Sequence, residues 1–160
     1  MEQTAIEFKN VTKLYGEGGT KAVDDISFEI KEGEFITVLG SSGSGKTTTL
    51  KMINRLIRED EGHITFFGED ISSMNEVDLR RKIGYVVQQI GLFPHMTVAQ
   101  NIATVPELLK WDKKKIQSRI KELLELVQLD PEVFADRKPK QLSGGQQQRV
   151  GVARALAANP

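Results

Sequence analysis

Gly40-Ser-Ser-Gly-Ser-Gly-Lys-Thr47 has glycine, four residues, glycine, lysine and threonine at the spacing of a phosphate-binding loop. Glycine at 40, 43 and 45 opens backbone conformations closed to other residues, so successive N–H groups can turn inward around phosphate oxygens at a helix start. Lys46 adds a mobile ammonium suited to β- and γ-phosphates, and the Thr47 hydroxyl can ligate Mg²⁺. Alone, the loop specifies a nucleoside triphosphate and not its use, because kinases and GTPases share the pattern.

The flanks fit that reading. Phe35-Ile-Thr-Val-Leu39 is almost wholly apolar and β-rich, which predicts a strand buried on both faces and feeding the loop. After the loop, Leu50, Ile53, Leu56 and Ile57 recur at helical spacing, so a helix is expected over 46–57. Upstream, residues alternate between apolar and polar from Ile6 to Val11 and again at Ile26, Phe28 and Ile30, which predicts an antiparallel sheet with one buried face. Downstream, Ile64 to Phe67 reads as a strand, Asn75 as the cap of a short helix through Lys82, and Ile83 to Val87 as a further strand.

Beyond Gln89 the strand pattern stops. Ile116, Ile120, Leu123, Leu124 and Val127 form an amphipathic stripe, with Lys113, Lys114, Lys115, Arg119, Lys121 and Glu122 largely on its solvent side. The lysine run reads as a solvated face rather than a polyanion site. Asp130-Pro131 is a cap followed by a first-turn proline, Arg137 to Lys140 reads as a linker, and a last helix is expected from Gly144 to Ala158.

The 160 residues suffice for one domain, possibly lobed, and an apolar fraction of 39% with 28% charged residues is that of a folding soluble chain. Lys+Arg and Asp+Glu are 22 each, so no overall field draws nucleic acid or an anionic surface. Without cysteine there is no disulfide framework or thiolate chemistry, which fits a reducing compartment. No apolar run approaches the ~18 residues of a membrane span, so a membrane role requires a membrane-embedded partner. His63 and His95 lie far apart in sequence, and His95 reads as a surface or packing residue rather than a metal ligand.

Leu142-Ser-Gly-Gly-Gln146 narrows the class. Ser143 can cap a helix whose first N–H groups, at Gly144 and Gly145, stay open at the positive end of its dipole, which makes a second anion site. A phosphate loop followed about a hundred residues later by Leu-Ser-Gly-Gly-Gln resembles the ATP-binding-cassette family across the whole chain. The resemblance implies an α/β fold: a P-loop NTPase core with an N-terminal antiparallel β-subdomain over residues 1–88, and an α-helical subdomain over 89–160. It also implies a head-to-tail dimer in which Ser41, Gly43, Gly45, Lys46, Thr47 and Thr48 hold the phosphates of ATP. Ser143, Gly145 and Gln146 would reach the γ-phosphate held by the second subunit. Tyr15 resembles the adenine-stacking aromatic. Gln88 resembles the hinge glutamine that touches Mg²⁺ or the attacking water, and so joins Thr47 as a metal contact and Lys46 as a catalytic group. Gly91 to Val98 resembles the segment on which integral membrane permease subunits dock, at the cytoplasmic face of the membrane, with no role for nucleic acid.

Among cassette importers, Lys46 to Ile57 and the Glu-Gly turn after it look most like the quaternary-amine osmoprotectant subgroup. The alternative is a non-transport cassette ATPase acting as an ATP-dependent clamp, for which a coiled-coil insertion or a basic surface would argue. The family pattern continues with an apolar strand ending in aspartate and glutamate and then a switch histidine, all beyond Pro160. The reading therefore expects a partial sequence, able to bind nucleotide and incomplete for turnover.

Overall fold

The computed structural model describes residues 3–16, 19–87 and 91–160, and the chain divides into two compact units, Met1–Arg80 and Arg81–Pro160. The first is built on a four-stranded antiparallel sheet of β1 (Thr4–Tyr15), β2 (Thr20–Lys31), β3 (Glu61–Phe66) and β4 (Glu69–Asp70), in the order β2-β1-β3-β4. The alternation from Ile6 puts Phe8 at the middle of the buried face, where it pairs with Phe28 on one side and Ile64 on the other. The two phenylalanine rings stack at 4.5 Å.

The expected period of two breaks once in β1, where Val11 and Thr12 are both buried. Asn10 and Asp25 adopt left-handed backbone at the register shift (φ 49° and 47°). Their side chains tie the two irregularities together, the Asn10 amide donating to the Asp25 carboxylate at 2.8 Å. Asn and Asp tolerate that conformation better than other non-glycine residues, so the sheet bends where the sequence permits it.

Helix α1 (Lys46–Ile53) follows the phosphate loop and buries Met52. It is shorter than the apolar spacing suggests, because Arg55 turns left-handed (φ 52°). The Arg80 guanidinium, on α2 (Glu76–Arg81), donates to the carbonyls of Asn54 at 3.1 Å and Arg55 at 2.8 Å, closing the helix end. A cation there also meets the negative pole of the helix dipole. Glu76 organises the cluster: a hydrogen bond from Arg58, with Arg80 and Arg55 nearby, holds its carboxyl below the usual carboxylate range. Asn75 caps α2 as expected, accepting from the N–H groups of Val77 and Asp78.

Two expected strands are not formed. Residues 35–39 are irregular, with Phe35 at 93% and Leu39 at 87% of full exposure, and 84–87 are also outside any strand. An apolar β-rich run becomes a strand only when a neighbour takes up its N–H and C=O groups, and among the described residues none lies alongside either segment.

The second unit is helical: α3 (Val98–Leu108), α4 (Lys113–Leu126), α5 (Pro131–Phe134), a 3₁₀ turn (Pro139–Gln141) and α6 (Gly144–Leu156). Ile102, Leu123, Leu124, Leu129, Val150 and Ala153 are buried in its core. Helices α4 and α6 cap each other reciprocally. Arg149 near the start of α6 donates to the carbonyls of Val127 and Gln128 after α4, and Arg119 of α4 donates to Leu156 at the end of α6. That exchange requires the two helices to run antiparallel. The stretch expected to be a linker is instead anchored, the Arg137 carbonyl accepting from the Val98 N–H at 2.8 Å.

The fully buried Asn101 holds the segment ahead of α3. Its side-chain oxygen accepts from the Phe93 N–H at 2.8 Å, and its amide donates to the carbonyls of Phe93 and Thr97. Asn101→Ala leaves those groups unpaired and is expected to remove about 2–3 kcal/mol. That lowers the midpoint of thermal unfolding by roughly 5–10 °C, measurable by circular dichroism.

Candidate nucleotide site

The phosphate loop is seated on β2. Gly45 has φ +86°, and a Cβ there would lie 2.3 Å from the carbonyl oxygen of Ala22, so glycine is required both by conformation and by close approach. Gly43 has φ +82° with nothing within 4 Å, a requirement of conformation alone. Gly40 faces the loop interior, where a Cβ would meet the Ser44 hydroxyl at 2.5 Å. The loop thus curls tightly into the first turn of α1, whose leading N–H groups carry the positive end of the helix dipole.

Lys46 curls back over the loop. Its ammonium donates to the carbonyls of Gly40 at 2.9 Å and Ser41 at 2.6 Å and to the Ser44 hydroxyl at 3.1 Å. A cation is therefore held by two carbonyls and a hydroxyl of the loop, beside the start of α1, where an incoming polyphosphate offers it a charged partner in their place. Ser44 was not singled out in the sequence; it fills a variable position of the pattern, and only its distance to Lys46 reveals it.

Thr47 and Thr49 differ. The Thr49 hydroxyl donates back to the Gly45 carbonyl at 3.0 Å, whereas the exposed Thr47 hydroxyl has no hydrogen bond among the described residues. Thr48 is partly buried in the same turn. Among the described residues no group of three His, Asp or Glu side chains could hold a metal. A Mg²⁺ ion, which keeps waters and takes phosphate oxygens, suits a donor set as sparse as one hydroxyl.

Tyr15 ends β1 opposite Thr20, on the same hairpin against which Gly45 packs; the residue is 44% exposed and the Lys13 ammonium lies 5.7 Å from the ring centre. Gln88 lies outside the described residues.

Ser143 to Gln146 belong to the second unit and form a complete capping box. The Ser143 hydroxyl accepts from the Gln146 N–H at 3.3 Å, and the Gln146 side-chain oxygen accepts from the Ser143 N–H at 2.9 Å. Gln147 secures the approach to the helix, donating to the carbonyls of Pro139 and Leu142. A Cβ at Gly144 or Gly145 would meet nothing within 4 Å, and neither has positive φ, so the fold of the unit does not demand glycine there. Bare backbone at an exposed helix start is what a ligand approaching from outside requires. Ser143→Ala removes one acceptor from the box and is expected to lower stability by about 1 kcal/mol, a shift of a few degrees in the unfolding midpoint.

A seated phosphate loop with its lysine and, in the same chain, a capped Ser-Gly-Gly-Gln helix start are the two features that carry the resemblance to the ATP-binding-cassette family. The chain belongs to the ABC transporter family, whose profile matches residues 23–160. It is 58% identical over 155 residues to the glycine betaine/carnitine/choline transport ATP-binding protein OpuCA of Bacillus subtilis, covering 97% of this chain and 40% of that protein. The glycine betaine uptake system ATP-binding protein YehX of Escherichia coli is 57% identical over 155 residues, covering 97% of this chain and 49% of its own length. Among solved structures, a dimeric bacterial ABC transporter cassette matches with a TM-score of 0.85 and 41% identity, over 97% of this chain and 70% of that one. The chain therefore spans less than half the length of these two curated relatives. The α/β cassette fold is the one expected from the sequence.

Proposed function

We propose that this chain is the nucleotide-holding part of the ATP-binding subunit of an importer of quaternary-amine osmoprotectants, in which ATP binding and hydrolysis drive solute uptake. The observation that carries the nucleotide reading is the Lys46 ammonium centred in a loop that Gly45 seats on β2. The solute class rests on what OpuCA and YehX are named for, and on identity of 57–58% to both.

In this reading residues 1–88 are the nucleotide-binding core and 89–160 the helical subdomain. Ser41, Gly43, Gly45, Lys46, Thr47 and Thr48 surround the phosphates, and Tyr15 offers an exposed ring to adenine. Thr47 and Gln88 hold Mg²⁺, which when bound offsets charge on the phosphate oxygens. Ser143, Gly145 and Gln146 meet the γ-phosphate held by a second, head-to-tail subunit. The Ser143 hydroxyl already accepts from Gln146 and keeps its own proton to donate. Integral membrane permease subunits are the remaining partners. No helix among the described residues is long and apolar enough to cross a membrane, which suits a peripheral subunit at the cytoplasmic face.

The deciding experiment is uptake of radiolabelled glycine betaine by cells whose full-length protein carries Lys46 or alanine at that position. Uptake lost in the variant supports the reading. Unchanged uptake, or uptake lost only for an unrelated solute, overturns it.

A further inference from the structure

The turn between α3 and α4 gathers charge that the rest of the chain balances. From Leu108 to Lys115 there are four lysines, Lys110, Lys113, Lys114 and Lys115, against one carboxylate, Asp112, in a chain with zero net charge. Glu107 lies just before the stretch. Lys110, two residues beyond α3, has left-handed backbone (φ 56°), and the Trp111 N–H returns to the Pro106 carbonyl at 3.0 Å, which fixes the turn. Asp112 is committed to capping α4 through the N–H groups of Lys114 and Lys115.

Three features of this turn run against what a freely solvated face needs. Lys113, Lys114 and Lys115 fill the first turn of α4, where the helix dipole disfavours cations, and no acidic residue occupies that turn. Among the described residues Lys110, Lys113 and Lys114 make no ion pair, although Lys121 and Arg119 further along α4 do. Beside them Leu108 is 74% exposed, and the half-buried Trp111 has the Lys115 ammonium 3.8 Å over its ring. Asp112 and the Trp111 ring offset this only in part, and a local rule left broken on a surface marks a place where something else can bind.

We infer that this turn, from Leu108 to Lys115, is a contact site for a bilayer surface carrying anionic headgroups. Unpaired lysines supply the attraction to the headgroups, while Leu108 and the indole of Trp111 supply the apolar and amphipathic groups that settle at a membrane interface. Nucleic acid is the competing polyanion. It has no use for an exposed leucine, and the turn offers one aromatic ring already covered by a lysine rather than a stacking platform. The inference goes beyond the transport reading and needs neither nucleotide nor permease, so each can fail without the other.

Trp111 is the only tryptophan, so its emission reports on the turn directly. The chain is titrated with vesicles of phosphatidylglycerol and phosphatidylcholine, and with vesicles of phosphatidylcholine alone, following emission and flotation. Anionic vesicles are expected to shift the emission to the blue and carry the chain upward, with both effects lost at about 0.5 M salt. Each of Lys110→Gln, Lys113→Gln and Lys114→Gln is expected to weaken partitioning about fivefold. The Lys113→Arg, Lys114→Arg double variant, which keeps the charge, is expected to float as the parent does, and thermal melts of all variants exclude misfolding as the cause. Equal flotation with neutral vesicles, glutamine variants that float unchanged, or duplex RNA that displaces the chain from anionic vesicles at equal phosphate concentration would each overturn the inference.

Discussion

Lys46→Ala is expected to weaken Mg-ATP binding about 100-fold while moving the unfolding midpoint by no more than about 2 °C. The magnitude follows from one charge-assisted contact to a polyphosphate, about 2.8 kcal/mol, which converts to a hundredfold in dissociation constant. The small stability change follows from where the ammonium sits. Its partners are the carbonyls of Gly40 and Ser41 and the Ser44 hydroxyl, on a loop exposed enough for water to replace it. Isothermal titration with Mg-ATP, alongside a thermal melt of each protein, separates the two quantities. A variant that binds as tightly as the parent would mean the loop holds phosphate through its backbone alone. A variant that melts far lower would mean the three hydrogen bonds stabilise the fold rather than await a ligand.

What the sequence made legible was mainly local. Asn75, Asp130 and Ser143 each cap the helix expected of them, because a cap is decided by a side chain and the next three N–H groups. The amphipathic stripe of α4 buries Ile116, Leu123 and Leu124 for the same reason. Strand formation is not local. Phe35 to Leu39 has the composition of a buried strand and no partner among the described residues, so composition overstated the structure there and at 83–87. Nor does spacing reveal long side chains that act at a distance. Arg149 reaches the end of α4 across more than 20 residues of sequence, and Arg80 closes α1 from 25 or 26 residues away. In the candidate site the glycine and lysine pattern was readable, whereas the seat for Gly45 was not, because it is a carbonyl of β2 rather than a side chain.

That seat carries the second large effect. Gly45→Ala is expected to lower stability by about 3 kcal/mol, whereas Gly43→Ala lowers it by about 1 kcal/mol, although both glycines have φ above +80°. Both variants force an L-residue into left-handed backbone. Only at position 45 does the added methyl also meet backbone, the Ala22 carbonyl at 2.3 Å, together with the Val23 side chain at 3.2 Å. Neither the strand nor the helix start can yield cheaply, since Val23 is buried in the core of the unit and Gly45 is the residue from which α1 begins. Thermal unfolding should therefore separate the two variants by roughly 4–8 °C. Mg-ATP binding should fall in both, because each disturbs the left-handed backbone of the loop that holds Lys46, and fall further for Gly45→Ala, which also displaces the helix start. Equal melting temperatures would show that contact with β2 does not seat the loop. Equal stability with binding lost only in Gly43→Ala would move the phosphate contact away from the helix start and toward the tip of the loop.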